Sequence, residues 1–226
     1  MRHVLDRPVW SALTTRHQAL AEGGDLARRY RPSIVPFAAT AGDDADSLRA
    51  LAGLLPPGET AVLVQADVIV LPPELSAIST ATLVQMVAEM PIPAASDERV
   101  RQLTKDNAEE MLALASLTKP GPFTLEALCL GDFWGIRVDG RLAAMAGERM
   151  KQPGYSELSG VCTHPDFRGA GLARLLSLFV AGRIAARGEV PYLHAYDSNV
   201  AAIRLYEAIG FRLRSVMNMA MVQRAE

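Results

Sequence analysis

The stretch Val161-Cys162-Thr163-His164-Pro165-Asp166-Phe167-Arg168-Gly169-Ala170-Gly171-Leu172-Ala173 constrains the fold of this chain more than any other. Proline cannot donate to a sheet ladder, so a strand arriving at His164 ends at Pro165. Small residues then crowd together, and beyond them Leu172, Leu175, Leu176, Phe179, Val180 and Ile184 share one face of a helix that Gly188 stops. A helix N-terminus therefore opens directly beyond a strand, with about four unpaired N–H groups and the positive end of the helix dipole. Glycines at 169 and 171 leave those amides open to a diphosphate, so the loop reads as an anion cradle; the plain alternative is a tight strand-to-helix turn. The stretch lacks the Gly-x-x-x-x-Gly-Lys-Ser/Thr of nucleotide-binding loops and the third glycine of the dinucleotide fingerprint.

The chain on either side fills in an α+β class with a mixed sheet, since only its later part alternates strand and helix. Trp10, Leu13, His17, Leu20 and Ala21 predict a helix over 8–22, on which His17 reads as a satisfied, half-buried histidine. Leu48, Leu51, Ala52 and Leu55 mark a second helix, stopped by Pro56-Pro57-Gly58. Segments 60–64, 68–71 and 82–88 read as strands. Prolines at 91 and 93 suggest a boundary over 90–96, dividing an N-terminal α/β region (1–95) from a second region (96–226). There, Asp106 with Glu109 predicts a capping box for a helix through Ala108, Met111, Leu112 and Ala115. A short helix is predicted over 124–130. Phe133–Val138 and 142–150 form a hairpin, because Asp139-Gly140 supplies the positive φ of a tight turn. Tyr155–Thr163, Val190–Tyr196 and a segment from Phe211 read as strands, and Val200–Ala208 as a helix.

Composition narrows the function. A net charge of −2 over 226 residues offers no basic surface for nucleic acid. Two cysteines, Cys129 and Cys162, make no disulfide framework, and neither they nor His164 and His194 have metal-ligand spacing, so no metal is expected. Cys162 has no histidine–acid pair around it and reads as core packing. With no apolar leader or membrane-length run, a soluble cytoplasmic protein is expected, and no membrane partner.

The residue string carries a specific likeness. Arg168-x-x-Gly171-x-Ala173 after Pro165 resembles the Arg/Gln-x-x-Gly-x-Gly/Ala signature of GNAT acetyltransferases, whose loop binds the pyrophosphate of coenzyme A. Asn199-Val200-Ala201-Ala202-Ile203-Arg204-Leu205-Tyr206-Glu207-Ala208-Ile209-Gly210-Phe211 looks like that superfamily's second signature. The likeness spans roughly 97–226 and is closest to the branch that includes glycine N-acyltransferase-like proteins. It implies a mostly antiparallel central sheet flanked by helices, acetyl-CoA as acyl donor, and a small amine or amino acid as acceptor. An acyl-CoA-binding sensor without catalysis is the competing reading. Residues 1–95 match no active motif; a degenerate second half, a cover on the sheet and a homodimer surface all stay open.

The same likeness assigns roles. Arg168, Gly169, Ala170, Gly171, Leu172 and Ala173 would hold the diphosphate, the main chains of Val161 and Thr163 the pantetheine arm, and an N–H near Val161 the thioester oxygen. Asn199 would contact the arm or simply cap its helix. Tyr206 would protonate the leaving thiolate or serve as a core aromatic. Glu157 corresponds to the base of nuclear histone acetyltransferases; even spacing from Val161 and Thr163 predicts a shared sheet face, a surface carboxylate being the alternative. Glu148 is the substitute base.

Overall fold

A sheet in which one early strand is slotted between two late ones organises the chain. The structure, a computed structural model, describes residues 3–93 and 95–225. The elements in chain order are α1 (Pro8–Thr14), β1 (Ala21–Gly23), β2 (Ala27–Tyr30), β3 (Ala38–Thr40), α2 (Ala45–Leu54), β4 (Thr60–Gln65), β5 (Leu75–Ala88) and β6 (Val100–Leu103). They continue with α3 (Ala108–Thr118), β7 (Phe133–Val138), β8 (Arg141–Gln152), β9 (Tyr155–Thr163), α4 (Leu172–Ala186), β10 (Val190–Tyr196), α5 (Val200–Ala208) and β11 (Phe211–Arg224). Strands β1 to β3 form a small sheet; the other eight run β4-β11-β5-β10-β9-β8-β7-β6. Among the eight strands of this sheet in the described residues, β9 and β10 alone pair in parallel. The expected α+β class with a mostly antiparallel sheet is the observed one. The sheet runs across residue 95: β4 and β5 precede it and pair with β11, which follows it. Of the predicted boundary stretch, residue 94 lies outside the described residues.

Local sequence explains most elements. Asp44 caps α2 by accepting from the Ser47 amide at 3.0 Å. The Asp139-Gly140 turn has φ of 50° and 79°, the two left-handed residues that a two-residue hairpin needs. Other expectations need correcting. The helix over 8–22 stops at Thr14, where two adjacent threonine hydroxyls bond back to Trp10 and Ser11 carbonyls and the chain turns into β1. Segment 68–71 forms no strand. The box sits two residues earlier than predicted, on the 3-10 turn Lys105–Asn107 that leads into α3: the Asn107 side chain accepts from the Thr104 amide at 2.9 Å. Only Ala127–Cys129 of the predicted short helix is helical, as a 3-10 turn.

The two sheet faces are buried differently. On one, α4 lays Leu172, Leu176, Val180 and Ile184 against Ala144, Ala146, Leu158 and Leu193. On the other, α1 with the residue Leu5 before it, and the end of β2 with the segment after it, bring Leu5, Val9, Tyr30, Ile34 and Phe37 onto Val62, Leu83, Met150 and Tyr192. Beside them α3 packs Met111 and Leu114 on Met145 and Cys162. No helix among the described residues is long and apolar enough to cross a membrane.

Candidate functional site

The loop after β9 has the predicted form. His164 Nδ1 accepts from the Asp166 amide at 3.2 Å, and one 3-10 turn (Pro165–Phe167) leads to Gly169 and Gly171, with φ of 79° and 74°. The first amide to close an α-helical bond is that of Leu175, to the Gly171 carbonyl at 3.0 Å, which leaves those of Leu172, Ala173 and Arg174 for another acceptor. A Cβ on either glycine would meet nothing within 4 Å, so the glycines serve the left-handed backbone and the space beside them is open. Arg168 and Ala170 are exposed, whereas Leu172 is buried and anchors the helix mouth.

Next to this loop the sheet comes apart. β9 and β10 pair only at Tyr155–Val190, Ser156–Pro191 and Glu157–Tyr192, after which a cavity of about 140 Å³ lies between them. Its walls are Leu158, Ser159, Gly160 and Val161 from β9, His194, Ala195 and Tyr196 from β10, and Asn199, Ala202 and Tyr206 from α5. From the opposite face Phe37, Leu83, Arg149, Met219 and residues 119–122 complete it. The predicted Val161, Asn199 and Tyr206 thus meet at one cavity. Residues 168–173 and Thr163 lie outside its wall, and the Thr163 hydroxyl is buried without a hydrogen-bond partner among the described residues.

A bulge overturns the predicted shared face of Glu157, Val161 and Thr163. Opposite β8, register passes from Gly147–Ser159 to Met145–Cys162, so β9 carries one extra residue there, and Gly160 takes φ of 62°. Alternation is reset beyond it: Val161 packs with Leu158 on the α4 face, and Thr163 pairs with Ala144, which is buried there. Glu157 points to the other face, where its parallel neighbour Tyr192 is buried.

Glu157 is fully buried and both its oxygens are engaged. Arg149 donates to them through Nε at 2.9 Å and Nη2 at 2.7 Å, the Met150 amide at 3.2 Å, and His194 Nδ1 at 2.8 Å. Burial alone would raise its carboxyl; the charge and hydrogen bonds of Arg149, with those of His194, outweigh that and hold it at about 2. The network continues outward. Gln85 donates Nε2–H to His194 Nε2 at 3.0 Å and to the Leu5 carbonyl at 2.9 Å, while its Oε1 accepts from Arg214, itself paired with Asp6 at 2.6 Å. Gln85 at Nε2 and Glu157 at Nδ1 hold both ring nitrogens, so the orientation of the imidazole is fixed. Glu148, the substitute base, faces α4 instead. Arg187 grips it with two bonds of 2.9 Å and Lys151 lies at 2.8 Å. Sequence reading missed Arg149 and Gln85 and saw in His194 only the lack of metal spacing, because nothing local joins residues 85, 149, 157 and 194.

Tyr206 is 8% exposed, edge-on to Phe211 at 6.1 Å, and burial, with Cys162 nearby, pushes its phenol up to about 12. It therefore holds its proton at neutral pH. Asn199 caps α5, accepting from the Ala202 amide at 3.2 Å, while lining the cavity. Cys162 is buried against α3, with its thiol raised to about 11 by desolvation, as a core residue should be. His17 is likewise satisfied: Nδ1 lies 2.9 Å from the Tyr30 hydroxyl.

The comparisons with known proteins agree with this geometry. The family model described as FR47-like protein matches residues 134–220. A structure from Novosphingobium aromaticivorans, described as an acetyltransferase of the GNAT family, is 43% identical, with both chains covered in full and a TM-score of 0.94. A GCN5-related N-acetyltransferase from Kribbella flavida is 17% identical over 96% of each chain, with a TM-score of 0.58, a likeness of fold alone. The search of curated proteins found no match. Full-length identity of that order, on a fold whose open sheet and glycine loop stand where the two signatures fall, makes the chain a member of the GNAT family of acetyltransferases.

Proposed function

We propose that this protein transfers an acetyl or other short acyl group from acyl-CoA to a primary amine by direct attack in a ternary complex. The observation that carries this reading is the opening between β9 and β10, with α5 and the α4 loop on one side of the sheet and Arg149, Phe37 and Met219 on the other. Donor and acceptor can meet through it without sharing a surface. The diphosphate rests on the loop of residues 168–173, where the amides of Leu172 and Ala173 carry no helical bond, and the pantetheine lies along the main chain of Val161 and Thr163, where the strand edge is free of β10. The amine nitrogen attacks the thioester carbon, and an N–H near Val161 receives the oxyanion. On collapse the C–S bond breaks and Tyr206 gives its proton to the thiolate.

Glu157 serves this reaction as a positioning residue rather than as the base. A carboxyl held at about 2, with both oxygens bonded and no part in the cavity wall, is too weak and too occupied to take an amine proton. That proton leaves to water in the cavity. Residues 1–95 act as the cover over the acceptor face, which Phe37, Val64 and Leu83 support by lining it.

Calorimetric titration with acetyl-CoA, followed by thiol release against a panel of amines, tests the reading. The informative variant is Ala170→Glu. Glycine 171 has a left-handed φ that a side chain would strain, whereas Ala170 already carries a Cβ and is exposed. A carboxylate there should weaken acetyl-CoA binding on the order of 10–10²-fold and leave the melting temperature of the free protein unchanged. Unaltered binding by that variant overturns the loop assignment.

A further inference from the structure

The acceptor side of the opening has a chemistry of its own. Among the described residues, no aspartate or glutamate lines the cavity or the apolar groove of about 470 Å³ that continues from it, sharing Lys119, Gly121, Pro122, Tyr196 and Met219. A second cation on the acceptor, as in a polyamine, would find like charge and no counter-charge. Two donors point instead to an anion. Arg149 spends Nε and Nη2 on Glu157, but Nη1 has no hydrogen bond among the described residues and lies 3.7 Å from where a Cβ of Gly121 would stand. Its rotamer is fixed by the bidentate carboxylate and by stacking 5.0 Å over Phe37, so little entropy is lost in using it. Lys119, exposed and without an ion pair among the described residues, adds the net positive charge that Arg149, balanced by Glu157, does not. Beyond them the groove is walled by Leu112, Phe123, Met219 and Met221. Thioether side chains adapt to varied apolar shapes.

We propose that the acceptor is an α-amino acid with a large apolar side chain. Its carboxylate is taken by Arg149 Nη1 and Lys119, its amine faces the opening between β9 and β10, and its side chain enters the Met219–Met221 groove. One carbon separates amine from carboxylate in such a molecule, which matches a cationic wall set directly beside the opening. This assignment rests on the acyl-transfer reading above.

The test measures thiol release from acetyl-CoA by the full chain with L-leucine, L-phenylalanine, L-leucinamide, isopentylamine, glycine and spermidine. Leucine or phenylalanine should exceed leucinamide and isopentylamine in kcat/KM by on the order of 10²-fold, since the amide and the amine leave the cationic donors unpaired. Lys119→Gln, a change at an exposed residue, should raise the KM for leucine about 5-fold and narrow the preference for leucine over isopentylamine by a similar factor. Equal use of leucine and its amide, or preference for spermidine or glycine, overturns the acceptor class. So does acetyl-CoA binding without turnover of any panel member, which spares the donor site. Failure of acetyl-CoA to bind in calorimetry overturns the underlying reading as well.

Discussion

The two mouths of the opening between β9 and β10 are built in opposite ways. The α4–α5 side is made by two continuous stretches, 161–173 and 199–211, and its main polar groups are backbone amides and one phenol. The other side gathers Phe37, Leu83, Arg149, His194 and Met219 from five separate strands or segments and is held by a chain of partly buried side-chain bonds from Asp6 to Arg149. A backbone site depends on local conformation and tolerates change around it. A side-chain site assembled over long range fails when one member is lost, because the rest are left buried and unpaired.

Glu157→Gln should break the second side hardest. It strands Arg149 without a counter-charge, and a cost of about 3–5 kcal/mol is expected in denaturant unfolding, with the α4 loop of the surviving folded fraction still binding acetyl-CoA. In the parent protein the same pair gives stability a definite acid dependence. The folded carboxyl lies below its unfolded value, so the unfolded chain binds more protons as pH falls, and the contribution is lost between about 4.5 and about 2. Unfolding midpoints that do not move across that window would mean the pair is not buried as described.

Tyr206→Phe probes the first side at its phenol. The ring and its contact with Phe211 are kept and only the hydroxyl goes, so kcat should drop roughly 10–10³-fold with coenzyme A affinity and melting temperature little changed. Equal kcat in the two proteins reduces Tyr206 to packing; acetyl-CoA binding without turnover of any amine in the parent would favour a sensor. The mildest contrast is His17, which lines neither mouth. Burial, with Lys151 and Arg16 nearby, depresses its imidazole to about 4, so its neutral form favours the fold and stability should decline as pH falls from about 6.5 through about 4. His17→Phe should lessen the loss of melting temperature over that range by a few degrees.

How legible each part was follows from the same contrast. The bounds of β7, β9, β10 and α5 could be read from the sequence because proline, glycine and alternation punctuate them locally. The glycine loop was legible for that reason too, although its glycines were read as clearance for a ligand rather than as the left-handed residues they are. The face of Glu157 was not, because a bulge is one residue of register and Gly160 looks no different in sequence from any strand glycine. Its tightness shows only in three dimensions: a Cβ there would stand 2.7 Å from the Phe133 ring. Nor was α1's early end, since His17 and Leu20 keep helical spacing while bonding as a turn. Arg149 and Gln85 had no motif to belong to; their importance comes from what the fold brings to them.

The slotting of β5 between β10 and β11 has a consequence for how the protein is made. Both neighbours of β5 are synthesised long after it, β11 only from Phe211 onward. Its residues, Leu-Ser-Ala-Ile-Ser-Thr-Ala-Thr-Leu-Val-Gln-Met-Val-Ala, include no charge and no proline, the composition of a strand prone to pair with copies of itself. At ordinary elongation rates the ribosome needs on the order of ten seconds to supply the second partner. Through that interval the longest uncharged strand of the nascent chain has two open edges, so soluble yield should depend on translation speed and on chaperones that shield extended segments.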